Sequence, residues 1–214
     1  MIKAVLFDMD GVLIEAKDWH YVSLNRALEH FGMPISRHEH ETIFDGLPTK
    51  TKLEMLSQEK GLPRSLHGFI NNLKQQYTVE LVHTHCRPRF LQEQALSELK
   101  RNGYKLAVCS NSIRLTVELM MEKAALTPYL DLMLSNQDVA KSKPAPDIYL
   151  KAMERFGLRP EECLVVEDNE NGIKAATASG AHVLVVEDVS DTNISNILAR
   201  INEIRVLSQA QMAA

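Results

Sequence analysis

Five short apolar runs punctuate the chain: KAVLF at 3–7, YKLAVCS at 104–110, LDLMLS at 130–135, CLVVED at 163–168 and AHVLVVE at 181–187. They are continuous rather than alternating and rich in β-branched residues, the pattern of strands buried on both faces. Between them lie helical patterns, RFLQEQALSELKRNG at 89–103, IRLTVELMMEKAAL at 113–126, APDIYLKAMERFG at 145–157 and NENGIKAATASG at 169–180. Three of these close on a glycine suited to a helix C-cap. Strand and helix alternate, which predicts an α/β fold built on a doubly wound parallel sheet.

Residues 16–84 break the rhythm. They hold no convincing strand, only the helical stretches DWHYVSLNRALEHFG, TKTKLEMLSQEKG and PRSLHGFINNLKQQYTVELV, separated by turn signals at Gly32-Met33-Pro34, Gly46-Leu47-Pro48 and Gly61-Leu62-Pro63. The expected organisation is a core of residues 1–15 and 85–214 with an all-helical insertion, 16–84, after the first strand. Open α/β sheets bind ligands beyond the carboxyl ends of their strands, so an insertion leaving from that end is expected to act as a cap. The closing stretch RVLSQAQMAA, residues 205–214, reads as a fraying tail.

Composition narrows the class without changing it. A length of 214 residues with 45% hydrophobic and 24% charged positions is that of an ordinary globular protein of one or two domains. A formal charge of −4 with scattered Lys and Arg gives no footprint for nucleic acid or an anionic membrane. The opening residues MIKAVLFDMDG lack the form of a signal peptide and no run is long enough to span a membrane. Cys86, Cys109 and Cys163 show no metal-type spacing and fit a reducing compartment. A soluble, cytoplasmic protein is expected; the sequence leaves the oligomeric state open.

The chemistry collects at the predicted strand ends. Asp8 and Asp10 close the first strand just before Gly11, although two like charges about 4 Å apart repel by roughly 4 kcal/mol at an effective dielectric of 20. The second strand ends in Ser110 and Asn111, the loop KSKPAPD carries Lys143, and the fourth strand ends in Glu167 and Asp168. A magnesium ion held by Asp8, Asp168 and a carbonyl or water would answer the repulsion, since oxygen-only ligation with few carboxylates suits that ion. Magnesium in turn suggests a phosphoryl group. Lys143 and the Ser110 hydroxyl can bind its oxygens, Asp8 can attack phosphorus, and Asp10 can protonate the leaving oxygen and then activate water.

These residues carry a resemblance. DMDGVL, the Ser110-Asn111 pair, SKPAPDIY and VVEDNENGIKAA, spread over residues 5 to about 185, resemble the four ordered motifs of the haloacid dehalogenase superfamily, in its phosphatase and β-phosphoglucomutase-like branch with an α-helical cap. The resemblance implies an Asp8 nucleophile, Asp10 as acid/base with its carbonyl on magnesium, phosphate on Ser110, Asn111 and Lys143, metal on Asp168, and Glu167 beside it. His20 matches a histidine common in the first cap helix of that branch. Two departures stand out: Glu15-Ala16 replaces a small polar hinge residue, and the cap-loop arginine of the mutase pattern is absent, with Thr49, Lys50 and Lys52 nearby. Lys50 or Lys52 could grip a distal anionic group, but without the bidentate fork of arginine.

The expected function is a magnesium-dependent phosphatase for a small phosphorylated metabolite, a sugar phosphate above all. The alternatives are a phosphosugar mutase and, from another class, a non-catalytic phosphoacceptor or binding module. Seven of the eight histidines lie between residues 20 and 85; the pairs His38-x-His40 and His83-x-His85 have no third ligand and read as solvated surface. Met120 and Met121 read as core, and Lys141 as a solvated loop charge.

Overall fold

The computed structural model describes residues 1–213. It divides into two compact units, one made of residues 1–15 and those from Arg87 onward, the other of Ala16–Cys86.

In the first unit, strands β1 (Ala4–Phe7), β2 (Lys105–Cys109), β3 (Leu132–Leu134), β4 (Cys163–Glu167) and β5 (His182–Val185) form one sheet in the order β3-β2-β1-β4-β5. Every pairing is parallel. The three central strands are buried along almost their whole length, as continuous apolar runs require. The two edge strands are not: β3 is partly buried and Val185 of β5 is 55% exposed. Burial on both faces therefore fails for β3 and β5, because each is an edge strand with a neighbouring strand on one side only.

Helices alternate with the strands: α5 (Phe90–Arg101) before β2, α6 (Arg114–Lys123) after it, α7 (Asp147–Phe156) before β4 and α8 (Glu170–Ala178) after it. Gly103, Gly157 and Gly180, just past the ends of α5, α7 and α8, all have positive φ. One sheet face packs on Ile148, Tyr149, Ala152 and Met153 of α7 and Ala175 and Ala176 of α8, with Leu6, Ala107 and Val165 beneath them. Met120 and Met121 are core, and all three cysteines are buried. Each fully buried large apolar side chain contributes about 1.5–3 kcal/mol relative to exposure.

The expected tail is a helix. The last helix, α9 (Ile194–Ala213), covers residues 205–213, and position 214 lies outside the described residues. Ile197, Ile201 and Ile204 are buried at helical spacing, and α9 touches α5 and β5.

The second unit contains α1 (Lys17–Glu29), α2 (Arg37–Glu39) running on into a wider turn at His40–Phe44, α3 (Thr49–Lys60) and α4 (His67–His85). Leu24, Ala27, Leu28, Ile35, Phe44, Leu53, Leu56, Leu62 and Ile70 form its own hydrophobic core. No helix among the described residues is long and apolar enough to cross a membrane.

Candidate active site

Sheet register assembles the site. Phe7, the last residue of β1, lies level with Val108 of β2 and Val166 of β4. Asp8 therefore emerges at the centre of the sheet between Cys109 and Glu167, with Ser110 and Asp168 one residue further out on either side. The order β3-β2-β1-β4-β5 also makes this the topological switch point, where chain connections depart in opposite directions and leave a crevice. Gly11 (φ 90°) then turns the chain, donating its N–H to the Ile14 carbonyl at 2.7 Å. An L-residue seldom adopts that φ.

Lys143 is the hub. Its Nζ donates to Asp8 Oδ1 at 2.6 Å and to Glu167 Oε1 at 2.7 Å, and it is only 4% exposed. Burial opposes its charged form, but Asp8 and Glu167 outweigh burial and raise the Lys143 pKa above its ordinary value. For Asp8, burial first and then crowding by Glu167, Asp168 and Asp10 push the carboxyl well above the carboxylate range, while Lys143 pulls the other way. Ligand oxygens of Asp8, Glu167 and Asp168 lie within 4.8 Å of one another. The donor set is all oxygen and the carboxylates outnumber the one lysine, so the residues present fit a hard divalent cation.

Glu167 is the most constrained of these acids. Oε1 accepts from Lys143 and from the Tyr149 hydroxyl at 2.6 Å, and Oε2 accepts the Asp168 N–H at 3.1 Å. Burial, with Glu167 next to it, raises the Tyr149 phenol well above its usual value and keeps it a donor. The Lys143 ammonium also lies over the Tyr149 ring, 4.8 Å from its centroid. Helix α8 leaves room for the carboxylate only because residue 172 is glycine: a Cβ there would fall 1.8 Å from Glu167 Oε1. The Asn169 side chain starts that helix by accepting from the N–H groups of Asn171 and Gly172.

Asn111, expected on phosphate, holds the loop of the lysine. Its amide donates to the Lys143 carbonyl at 3.2 Å and accepts the Lys143 N–H at 3.0 Å, bracing the lysine loop against the end of β2. Ser110 is 1% exposed and its Oγ accepts the Ser112 N–H at 3.0 Å. The Ser112 hydroxyl donates to Asp10 Oδ2 at 3.3 Å. Tyr149, Ser112 and Gly172 are the residues here that sequence reasoning passed over. Tyr149 and Gly172 lay inside stretches singled out for other members, and nothing in composition or period marks the contacts they make. Lys141 is exposed.

The remaining sequence-predicted residues, His20, Lys50 and Lys52, belong to the helical unit. The His20 Nδ1 takes a hydrogen bond from the buried Lys74 at 3.3 Å, a partner that sequence reasoning did not name. Lys52 is buried and Lys50 exposed, although both stand in the first turn of α3. The pair His38-x-His40 is not uniformly solvated: His38 is exposed, but His40 is buried with its ring edge-on to Tyr21, centroids 5.3 Å apart. Burial, then the nearby charges of Lys52, His20, Arg37 and Lys74, hold His40 neutral with a pKa of about 3.

The comparisons with known proteins say what kind of protein carries this parallel α/β sheet with a lysine clamped between carboxylates at its switch point. Residues 5–186 match the model of the haloacid dehalogenase-like hydrolase family. The chain belongs to that family. It is 29% identical over 195 residues to the phosphorylated carbohydrates phosphatase of Thermotoga maritima, covering 89% of this chain and 88% of that one. The structure of CbbY from Rhodobacter sphaeroides in complex with phosphate superposes with a TM-score of 0.79 at 26% identity, covering 86% of each chain. A β-phosphoglucomutase from Clostridium difficile shares the fold, with a TM-score of 0.84 at 21% identity over 96% of this chain and all of that one.

Proposed function

We propose that this protein is a magnesium-dependent phosphatase that hydrolyses a small phosphorylated metabolite, a sugar phosphate, through an aspartyl-phosphate on Asp8. The observation that carries the reading is Lys143 held between Asp8 and Glu167 at the sheet's switch point, with Asp168 beside them. Likeness to a phosphatase of phosphorylated carbohydrates and to a protein crystallised with phosphate supports the substrate class.

Asp8, Asp168 and the Asp10 carbonyl would hold magnesium, which when bound neutralises carboxylate charge and polarises the phosphoryl oxygens. Lys143 and the Ser110 hydroxyl bind those oxygens, and Asn111 fixes the loop from which Lys143 reaches in. A carboxylate oxygen of Asp8 attacks phosphorus as the ester P–O bond breaks, and protonated Asp10 gives its proton to the departing oxygen. Asp10 then takes a proton from water, whose oxygen attacks phosphorus, releases phosphate and restores Asp8. Glu167 serves as the fixed counter-charge of Lys143. Residues 1–15 and 85–214 carry this chemistry, while 16–84, with His20, Lys50 and Lys52, carry the selectivity among phosphate esters.

The test is a screen of phosphorylated metabolites with magnesium, reading inorganic phosphate and isomerised product in parallel. Multiple turnovers with phosphate release support the proposal. Isomer formation without phosphate release would replace it with a phosphosugar mutase, and phosphorylation of the protein without turnover would replace it with a binding module.

A further inference from the structure

We propose that Tyr149 is a positioning residue for phosphate binding, its hydroxyl deciding how Lys143 is shared between Glu167 and the phosphoryl group. The inference rests on the reading of Lys143 as a phosphate ligand. Tyr149 is fully buried, the largest such side chain among the described residues, and does not belong to the carboxylate set. Its hydroxyl and Lys143 Nζ converge on one atom, Glu167 Oε1, at 2.6 and 2.7 Å. Two lone pairs let that oxygen accept both donors, but each donor draws electron density from the shared atom and so weakens the bond it makes with the other. The hydroxyl thus weakens the grip of Glu167 on Lys143.

An ammonium has three N–H groups, of which two point to Asp8 and Glu167. The third is the one Lys143 can offer to a phosphoryl oxygen. The Tyr149 ring, 4.8 Å from Nζ, forms an aromatic floor beneath the ammonium, so that Lys143 is steadied without a third anion. Glu167 cannot swing away to relax the competition, because Gly172 lies against its carboxylate and the Asp168 N–H holds Oε2. Hydroxyl and lysine therefore trade against each other at a fixed acceptor. Removing the hydroxyl leaves Glu167 Oε1 wholly to Lys143 and draws the lysine away from phosphate.

Tyr149→Phe keeps the ring and the volume and deletes only the hydroxyl. The probe is inorganic phosphate, titrated calorimetrically into the full-length protein with magnesium present. Expected are a phosphate dissociation constant raised about fivefold, the size of one lost hydrogen bond, and a magnesium dissociation constant unchanged within about twofold. Because the effect passes through Glu167, it should vanish in a Glu167→Gln background, measured as a double-mutant cycle. A Tyr149→Phe protein with unaltered phosphate affinity overturns the proposal. So does one in which phosphate and magnesium weaken together, or in which the loss persists in the Glu167→Gln background, since each is what general loosening of the core would produce. Glu167→Gln alone gives an independent reading that does not require Tyr149→Phe to fold: releasing Lys143 from its competing carboxylate should tighten phosphate about threefold, and weaker binding overturns the proposal. These titrations need no turnover, so the phosphatase reading can fail in the metabolite screen while Tyr149 is still judged on phosphate binding.

Discussion

Gly172→Ala sets two calculable effects of opposite sign against each other. Alanine in place of glycine within a helix favours that helix by about 1 kcal/mol. Position 172 lies in α8, so propensity alone predicts a more stable protein. The added Cβ, however, would stand 1.8 Å from Glu167 Oε1, 2.0 Å from Cδ and 2.2 Å from Oε2. Carboxylate and methyl cannot share that space. Glu167 must turn out of its site and give up Lys143, Tyr149 and the Asp168 N–H. Breaking a buried charged pair costs about 3–5 kcal/mol, and the lower end applies because Lys143 keeps Asp8. Net destabilisation is then about 2 kcal/mol, which for a chain of this size lowers the melting temperature by about 4–8 °C. Differential scanning calorimetry is the assay, since it separates transitions of two units where a single optical probe merges them. A melting temperature equal to or above that of the unaltered protein would refute the claim that Gly172 is there to house Glu167.

Four further outcomes are expected. Asp8→Asn keeps the shape of the side chain but removes the carboxylate proposed to attack, so turnover should fall below detection with an unaltered circular dichroism spectrum; activity within about tenfold of the original takes Asp8 out of the nucleophile role. Asp168→Ala should raise the magnesium concentration needed for half-maximal activity and leave the metal-free protein no less stable, because carboxylate crowding on Asp8 is relieved; an unshifted magnesium titration contradicts it. Lys50→Ala and Lys52→Ala should each raise KM for the true substrate more than for an aryl phosphate without a second anionic group; equal small effects on both substrates would count against a role for these lysines in selectivity. His40 has a pKa lowered from 6.5 to about 3. Its contribution is complete above pH 6.5 and declines as pH falls toward 3, by at most about 1.4 kcal/mol per pH unit; melting temperatures should drop between about pH 7 and 5, less so in His40→Phe, and parallel slopes would exclude His40 as the source.

What the sequence made legible follows from how local each signal is. The five strands are short apolar runs, most of them with β-branched residues, and the helices between them carry a clear period, so the doubly wound sheet could be read without any contact being known. Asp8 and Asp168 were legible for a topological reason: residues just past parallel strands must meet at one rim, whatever the packing of the helices; Lys143, in the loop between β3 and α7, was legible through the resemblance of SKPAPDIY. Most of the failures are non-local. The edge position of β3 and β5 depends on strand order, which no single run encodes. Helix α9 does carry buried isoleucines at 197, 201 and 204, but the polar ending RVLSQAQMAA outweighed that period. The burial of His40, the pairing of His20 with Lys74 and the Tyr149 hydroxyl on Glu167 depend on which helices pack together. Tyr149 shows the limit best: it is spaced six residues from Lys143, yet only the turn into α7 brings its hydroxyl to the acceptor the lysine uses.

The imbalance of charge at the sheet's switch point explains why such a site would favour a phosphorylated substrate only with a cation present. Asp8, Glu167 and Asp168 crowd together against one ammonium, and burial with that crowding already raises Asp8. A phosphate dianion brought to this rim adds repulsion from every acid, and Lys143, which donates to two of them, can offset only part of it. A divalent cation held by Asp8 and Asp168 would reverse the sign: it would favour the ionised Asp8 carboxylate that the proposed attack requires, and it would relieve Lys143 of part of its duty to Asp8. Phosphate affinity and magnesium affinity should then be coupled, each ligand tightening the other by the same factor. Reciprocal calorimetric titrations measure that factor directly. Independent binding, with phosphate held equally well in the absence of magnesium, would mean that Lys143 alone balances the acids and that the charge argument is wrong.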